Sequence, residues 1–172
     1  ALFSVYGDLD KASLMAEIFN PDYETLELKQ RMRHITLMLG KHLPNKFNTS
    51  IELLISAKNE LDKKNLDLIG LELIFIPDFI EVFGQDDFDP SIKAMEEITP
   101  FMTCEFAVRP FIIKYGTKMM QKLTDWSNSE NHHLRRLASE GSRPRLPWAM
   151  ALPEFKKDPS PILPILENLK DD

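Results

Sequence analysis

The sequence predicts an all-α fold, arranged as an α-solenoid of short helices in antiparallel pairs. Three observations carry this. Apolar residues recur with helical spacing along nearly the whole chain. Pro, Gly, Asn and Asp punctuate them as brief loops. No segment alternates cleanly with period two, so no strand face is written in the chain. Helices this short bury their apolar faces by stacking pair on pair, which is the logic of a solenoid. A compact orthogonal bundle is compatible with the same signals. About eight to ten helices are expected.

Taken in order, Leu26, Leu28, Met32, Ile35, Leu37, Met38 and Leu39 set the first clear helix, with Gly40 and Pro44 expected to end it. Phe47 to Ala57 and Leu66 to Phe83 repeat the pattern. Leu71–Ile76 carries some strand character. No turn chemistry offers it a partner strand, so it is read as a buried helix that Pro77 kinks. Asp89 followed by Pro90 reads as an N-cap and first helical residue. Ser127 and Glu130 have the spacing of a capping box, and Gly141 has the place of a glycine just past a helix end. A helix over 128–140 follows. Six prolines from Pro144 to Pro164 then lead into a last helix, Ile162 to Leu169. The segments Ala107-Val-Arg109-Pro and His133-Leu-Arg135-Arg are faintly alike, a trace of repetition.

A length of 172 residues fits one domain over 1–172 with a real core. No apolar run approaches the roughly 18–20 residues of a membrane helix. The first residues, Ala1-Leu-Phe-Ser-Val-Tyr-Gly-Asp8, lack the basic and apolar regions of a signal peptide. Cys104 is the single cysteine, so no internal disulfide forms. A reducing, cytoplasmic setting and a monomer are expected.

Charge is distributed unevenly. The chain carries a net charge of −6. Residues 101–148 nevertheless hold eight Lys and Arg against four Asp and Glu. Four of these cations, Arg135, Arg136, Arg143 and Arg145, fall in the stretch 135–148 that ends on Trp148. Guanidinium forks suit phosphate oxygens, and Pro144 and Pro147 restrict the loop that bears two of them. An aromatic beside arginines is a common surface for stacking a base. A solvated face with an Arg136–Glu140 pair at i,i+4 is the commoner account of such charge, and a lone Trp more often packs in a core.

Two glutamates stand against local preference. Glu105 lies in an apolar run from Phe101 to Ile113, where an unpaired carboxylate is costly. Arg109, four residues on, is its expected structural partner. Glu140 falls in the last turn of its helix, where the macrodipole disfavours an anion. His132 and His133 point about 100° apart on a helix and do not share a metal. No Cys, His and Asp set with metal spacing accompanies them, so no metal or cofactor is expected. Cys104 reads as core. No glycine-rich phosphate loop or nucleophile elbow is present.

At these residues the sequence resembles a known family. Glu105-Phe-Ala-Val-Arg-Pro-Phe-Ile112 and Leu134-Arg-Arg-Leu-Ala-Ser-Glu-Gly-Ser-Arg-Pro-Arg-Leu-Pro-Trp-Ala149 are similar to the signature of the AlkC branch of HEAT-like DNA alkylation-repair glycosylases. Leu26-Glu-Leu-Lys-Gln-Arg31 through Leu43-Pro44, and Phe83-Gly-Gln-Asp-Asp87, are similar to its upstream repeats. The resemblance runs from about residue 20. It implies a stack of HEAT-like helical pairs that cradles damaged duplex DNA, and excision of cationic N-alkylated bases such as 3-methyladenine. It implies Glu105 and Glu140 as catalytic carboxylates and Trp148 beside the lesion. It also implies Arg109, Arg135, Arg136, Arg143 and Arg145 on the DNA. Family members continue into further repeats beyond the point matched by Asp172, so the chain is expected to be incomplete at its C-terminus. The reading from a different class is a non-catalytic helical-repeat protein whose basic segment binds an acidic partner.

Overall fold

A computed structural model describes residues 1–64 and 71–172 of the chain. The described residues form eleven α-helices and three short 3-10 helices, with no strand among them. None of these helices is long and apolar enough to cross a membrane. Where one domain was expected over 1–172, contacts gather into two compact units, Ala1–Ala94 and Met95–Asp172.

The first unit contains α1 (Leu2–Val5), α2 (Lys11–Ile18), α3 (Leu28–His42), α4 (Phe47–Lys63) and α5 (Phe75–Phe83). A sixth helix, α6 (Phe88–Ile98), runs across the boundary. α3 packs on α5 and on α2, and α4 packs on α1 and α5. Ile51, Leu54, Ile76, Phe79 and Ile80 are buried in this core. Arg33 of α3 forms a fork with Asp78 of α5, at 2.9 Å from Nε to Oδ2 and 2.8 Å from Nη2 to Oδ1. Asp78 is buried, and the paired donors are what allow a carboxylate there.

Several helix ends differ from the expected ones, each for a tertiary reason. Gly40 does not stop α3 but sits inside it. A Cβ there would meet the Phe83 ring at 2.2 Å, so the glycine admits an aromatic rather than ending a helix. Pro77 falls in the first turn of α5, where its missing N–H costs nothing. Leu71–Leu73 is a 3-10 turn leading into α5, not a strand. Residues 66–70 of the expected Leu66–Phe83 helix lie outside the described residues. α6 starts at Phe88, so Asp89 and Pro90 are inside its first turn rather than at its cap.

The second unit contains α7 (Val108–Tyr115), α8 (Thr117–Ser127), α9 (His132–Gly141), α10 (Pro153–Lys157) and α11 (Leu163–Leu169). α8 packs on α7, α9 and α11, and α11 also packs on α9. Met119, Leu123, Leu137 and Ile165 fill the interior. Trp126 is buried and donates its indole N–H to Glu96 Oε1 at 2.7 Å. The capping box expected at Ser127 is not formed. α8 continues through Ser127, and Asn131 caps α9 by accepting from the His133 amide at 3.0 Å.

Candidate active site

Glu105 is not on a helix. Residues 101–107 form turns, and α7 begins at Val108. The i,i+4 face expected to bring Glu105 to Arg109 is therefore not formed and no ion pair joins them, although the Glu105 charge still favours the Arg109 cation against the cost of burying it. Arg109 is fully buried instead. Its Nε donates to the Met150 carbonyl at 2.5 Å and its Nη1 to the Gly141 carbonyl at 3.0 Å. The side chain is closed to solvent in this chain, and its bonds are these internal ones.

The carboxyl group of Glu105 meets that of Glu140. Burial is the first cause that pushes the Glu105 pKa above its ordinary value, and the adjacent Glu140 carboxyl is the next. Arg136 pulls the other way, as does Thr103, whose hydroxyl lies 3.5 Å from Glu105 Oε2. Thr103 was not singled out in the sequence. A hydroxyl two residues before a carboxylate in a turn was the available signal.

Glu140 is placed by α9 and by a close helix approach. Its neighbour Gly141 is the last residue of the helix, not the residue past it. A Cβ on Gly141 would stand 2.6 Å from Val108 Cγ1, so only glycine lets the end of α9 come this near to α7. Arg136 reaches back to Glu140 Oε2 at 3.0 Å. Glu140 thus has an arginine on one side and a second carboxyl on the other. Arg136 remains largely exposed, and its two Nη groups make no hydrogen bond among the described residues.

The remaining basic residues divide. Arg135 grips the Asp172 carboxylate with Nε at 2.9 Å and Nη2 at 2.7 Å. Its Nη1 donates to the carbonyls of Ser129 and Glu130, both at 3.0 Å. Its fork is fully used inside the fold, against the expectation of a phosphate contact. Arg143 and Arg145 are exposed and have no ion-pair partner among the described residues. Trp148 is 67% exposed. Its φ of 65° lies in the left-handed region, uncommon for any residue but glycine. The rings of His132 and His133 lie tilted by 35° with their centres 3.9 Å apart. No group of three or more His, Cys, Asp and Glu among the described residues is arranged to hold a metal. Cys104 is buried, and burial pushes its thiol up to about 12.

The comparisons with known proteins bear on this same arrangement. No family model matches the chain. A Bacillus subtilis (strain 168) protein described as uncharacterized protein YhaZ is 42% identical over 169 residues, 98% of this chain and 45% of that protein. A solved structure described as Pseudomonas fluorescens alkylpurine DNA glycosylase AlkC, bound to DNA containing an abasic site analog, superposes with a TM-score of 0.89. It is 32% identical and covers 99% of this chain and 46% of that one. Over its own length, the chain has the AlkC-like fold and is similar to that family in sequence. It spans less than half the length of both relatives.

Proposed function

We propose that the Glu105–Glu140 site serves a DNA glycosylase that excises cationic N-alkylated bases, such as 3-methyladenine, from duplex DNA. The observation that carries this reading is the meeting of the two carboxyl groups. Two acids in contact, one half-buried, weaken a fold unless they do something for it. The likeness to the structure of the alkylpurine DNA glycosylase AlkC bound to DNA supports the same reading.

The chemistry follows from charge. An N-alkylated purine already bears a positive charge, so it leaves without a general acid. The bond from the base to C1′ lengthens, and positive charge grows on the sugar. Carboxylates held beside C1′ stabilise that oxocarbenium character, and one of them orients the attacking water. Arg136 restrains Glu140 while leaving its Nη groups for a phosphate. Arg143 and Arg145 are the backbone contacts in this reading, and the exposed Trp148 lines the lesion. The two glutamates, with no lysine nucleophile assigned, fit a monofunctional glycosylase better than a lyase. Neutral bases leave far more slowly, so much of the discrimination lies in the substrate.

The test is release of 3-methyladenine from methylated duplex DNA by the full-length protein and by its Glu140→Gln variant. Gln keeps the shape and removes the charge. Single-turnover excision is expected to fall on the order of 10²-fold or more, the size seen when an electrostatic stabiliser is removed. Affinity for the duplex should hold or rise, because an anion facing phosphates is gone. A variant of lowered melting temperature with a normal rate per folded molecule would sink the assignment.

A further inference from the structure

Arg109 is the largest buried cation of the second unit, and its bonds have an unusual topology. Nη1 holds the carbonyl of Gly141, the residue after Glu140. Nε holds the carbonyl of Met150, two residues after Trp148. The segment between them, 142–149, contains Arg143, Arg145 and Trp148. One guanidinium therefore closes both ends of the loop that carries the exposed recognition residues. At the loop's start the Ser142 hydroxyl donates to the Ala138 carbonyl at 2.7 Å and the Arg143 amide to the Glu140 carbonyl at 3.2 Å. Further along, the Ala149 amide donates to Leu146 at 3.2 Å and the Leu152 amide to Pro144 at 3.0 Å. The buried Leu152 anchors its exit.

Burying an arginine without a direct carboxylate is expensive. Nη2 is buried with no hydrogen-bond partner in the protein. A leucine or methionine would fill the space at lower cost, so core packing does not explain the residue. Only a rigid planar fork reaches two carbonyls in different directions at once, and that geometry is what the position uses.

We infer that Arg109 is a positioning residue: it clamps the 142–150 loop at both ends and thereby fixes Arg143, Arg145 and Trp148 relative to the Glu105–Glu140 pair. This rests on the glycosylase reading only for its consequence on activity. The clamp itself is a statement about the loop.

The experiment compares Arg109→Met and Arg109→Lys with the parent in the full-length protein. Amide hydrogen exchange is followed along residues 117–152, together with single-turnover excision on methylated duplex DNA. In Arg109→Met, exchange at 142–152 is expected to rise about tenfold or more, as losing hydrogen bonds to a charged donor implies. Exchange within α8 should stay at the parent level. The excision rate should fall on the order of 10²-fold, the effect of small misplacements. Arg109→Lys keeps the charge but not the fork, so it should loosen the loop less and recover only part of the rate. An unchanged loop overturns the clamp. So does exchange that rises evenly through α8 and α9, or failure of both variants to fold, since either makes Arg109 a general core determinant. If the parent protein itself releases no 3-methyladenine, the glycosylase reading fails, while the exchange data still decide the clamp.

Discussion

Glu105 shows how a single residue can be read for function through its cost. Its carboxyl binds a proton more tightly in the folded chain than at its ordinary value of 4.5, first through burial and then through Glu140. A carboxyl raised in this way contributes stability below its unfolded pKa and loses it as pH rises through the folded value. At neutral pH the charged pair therefore weakens the fold. Glu105→Gln should melt at a higher temperature than the parent at about pH 8, and the gap should close toward about pH 4. Melting curves across that range check the sign, and a variant less stable at neutral pH contradicts it. The same shift governs activity. If excision needs the anionic pair, the single-turnover rate should fall on acidification at a pH above the usual carboxylate range. In Glu140→Gln the acid limb should move lower, because the neighbouring charge has gone. Both glutamates were legible in the sequence as residues in unfavourable places. Their meeting was not, since 35 positions separate them and no periodicity speaks across that distance. Arg109 was misread because four-residue spacing has meaning only on a helix, and the chain at Glu105 is a turn.

At the level of elements, the helices were legible and their ends were not. Apolar spacing located α3 and α11 to within a few residues, while α4 runs to Lys63, past the expected Ala57, and α9, expected from capping signals over 128–140, spans His132–Gly141. Glycines deceived, because a glycine that stops a helix and one that admits a neighbour look alike in sequence. Gly40 makes room for Phe83, and Gly141 for Val108. The second contact sets the separation of α7 and α9, and with it the place of Glu140. Gly141→Ala should therefore destabilise by about 1–3 kcal/mol, the usual range for overpacking a core. Val108→Ala should also destabilise, by opening a cavity. Combined, the new methyl occupies the space the valine leaves, so the double variant should be more stable than the sum of the two predicts. A double-mutant cycle by denaturant titration measures this coupling. Strict additivity would show that the two helices do not set their distance through this contact.

For the whole molecule, the proposed function raises the question of how a chain of net charge −6 would hold a polyanion. Its answer lies in which arginines are still available. The sequence offered Arg135, Arg136, Arg143 and Arg145 alike, because residue type says nothing of prior commitments. Asp172, Ser129 and Glu130 consume Arg135, while Arg143 and Arg145 stay uncommitted on an exposed loop. Each phosphate neutralised releases counterions, so the slope of log affinity against log salt counts the contacts, at about 0.9 per phosphate on duplex DNA. Arg143→Ala and Arg145→Ala should each lower that slope by about one unit and weaken all sequences alike. Arg135→Ala should leave the slope as it is and lower the melting temperature, since it unties Asp172 and the turn before α9. Titrations of methylated and unmethylated duplexes at several salt concentrations distinguish these outcomes. If Arg135→Ala instead flattens the salt dependence while Arg143→Ala and Arg145→Ala leave it steep, Arg135 releases Asp172 on binding, and the DNA lies against the α9 helix rather than the loop that follows it.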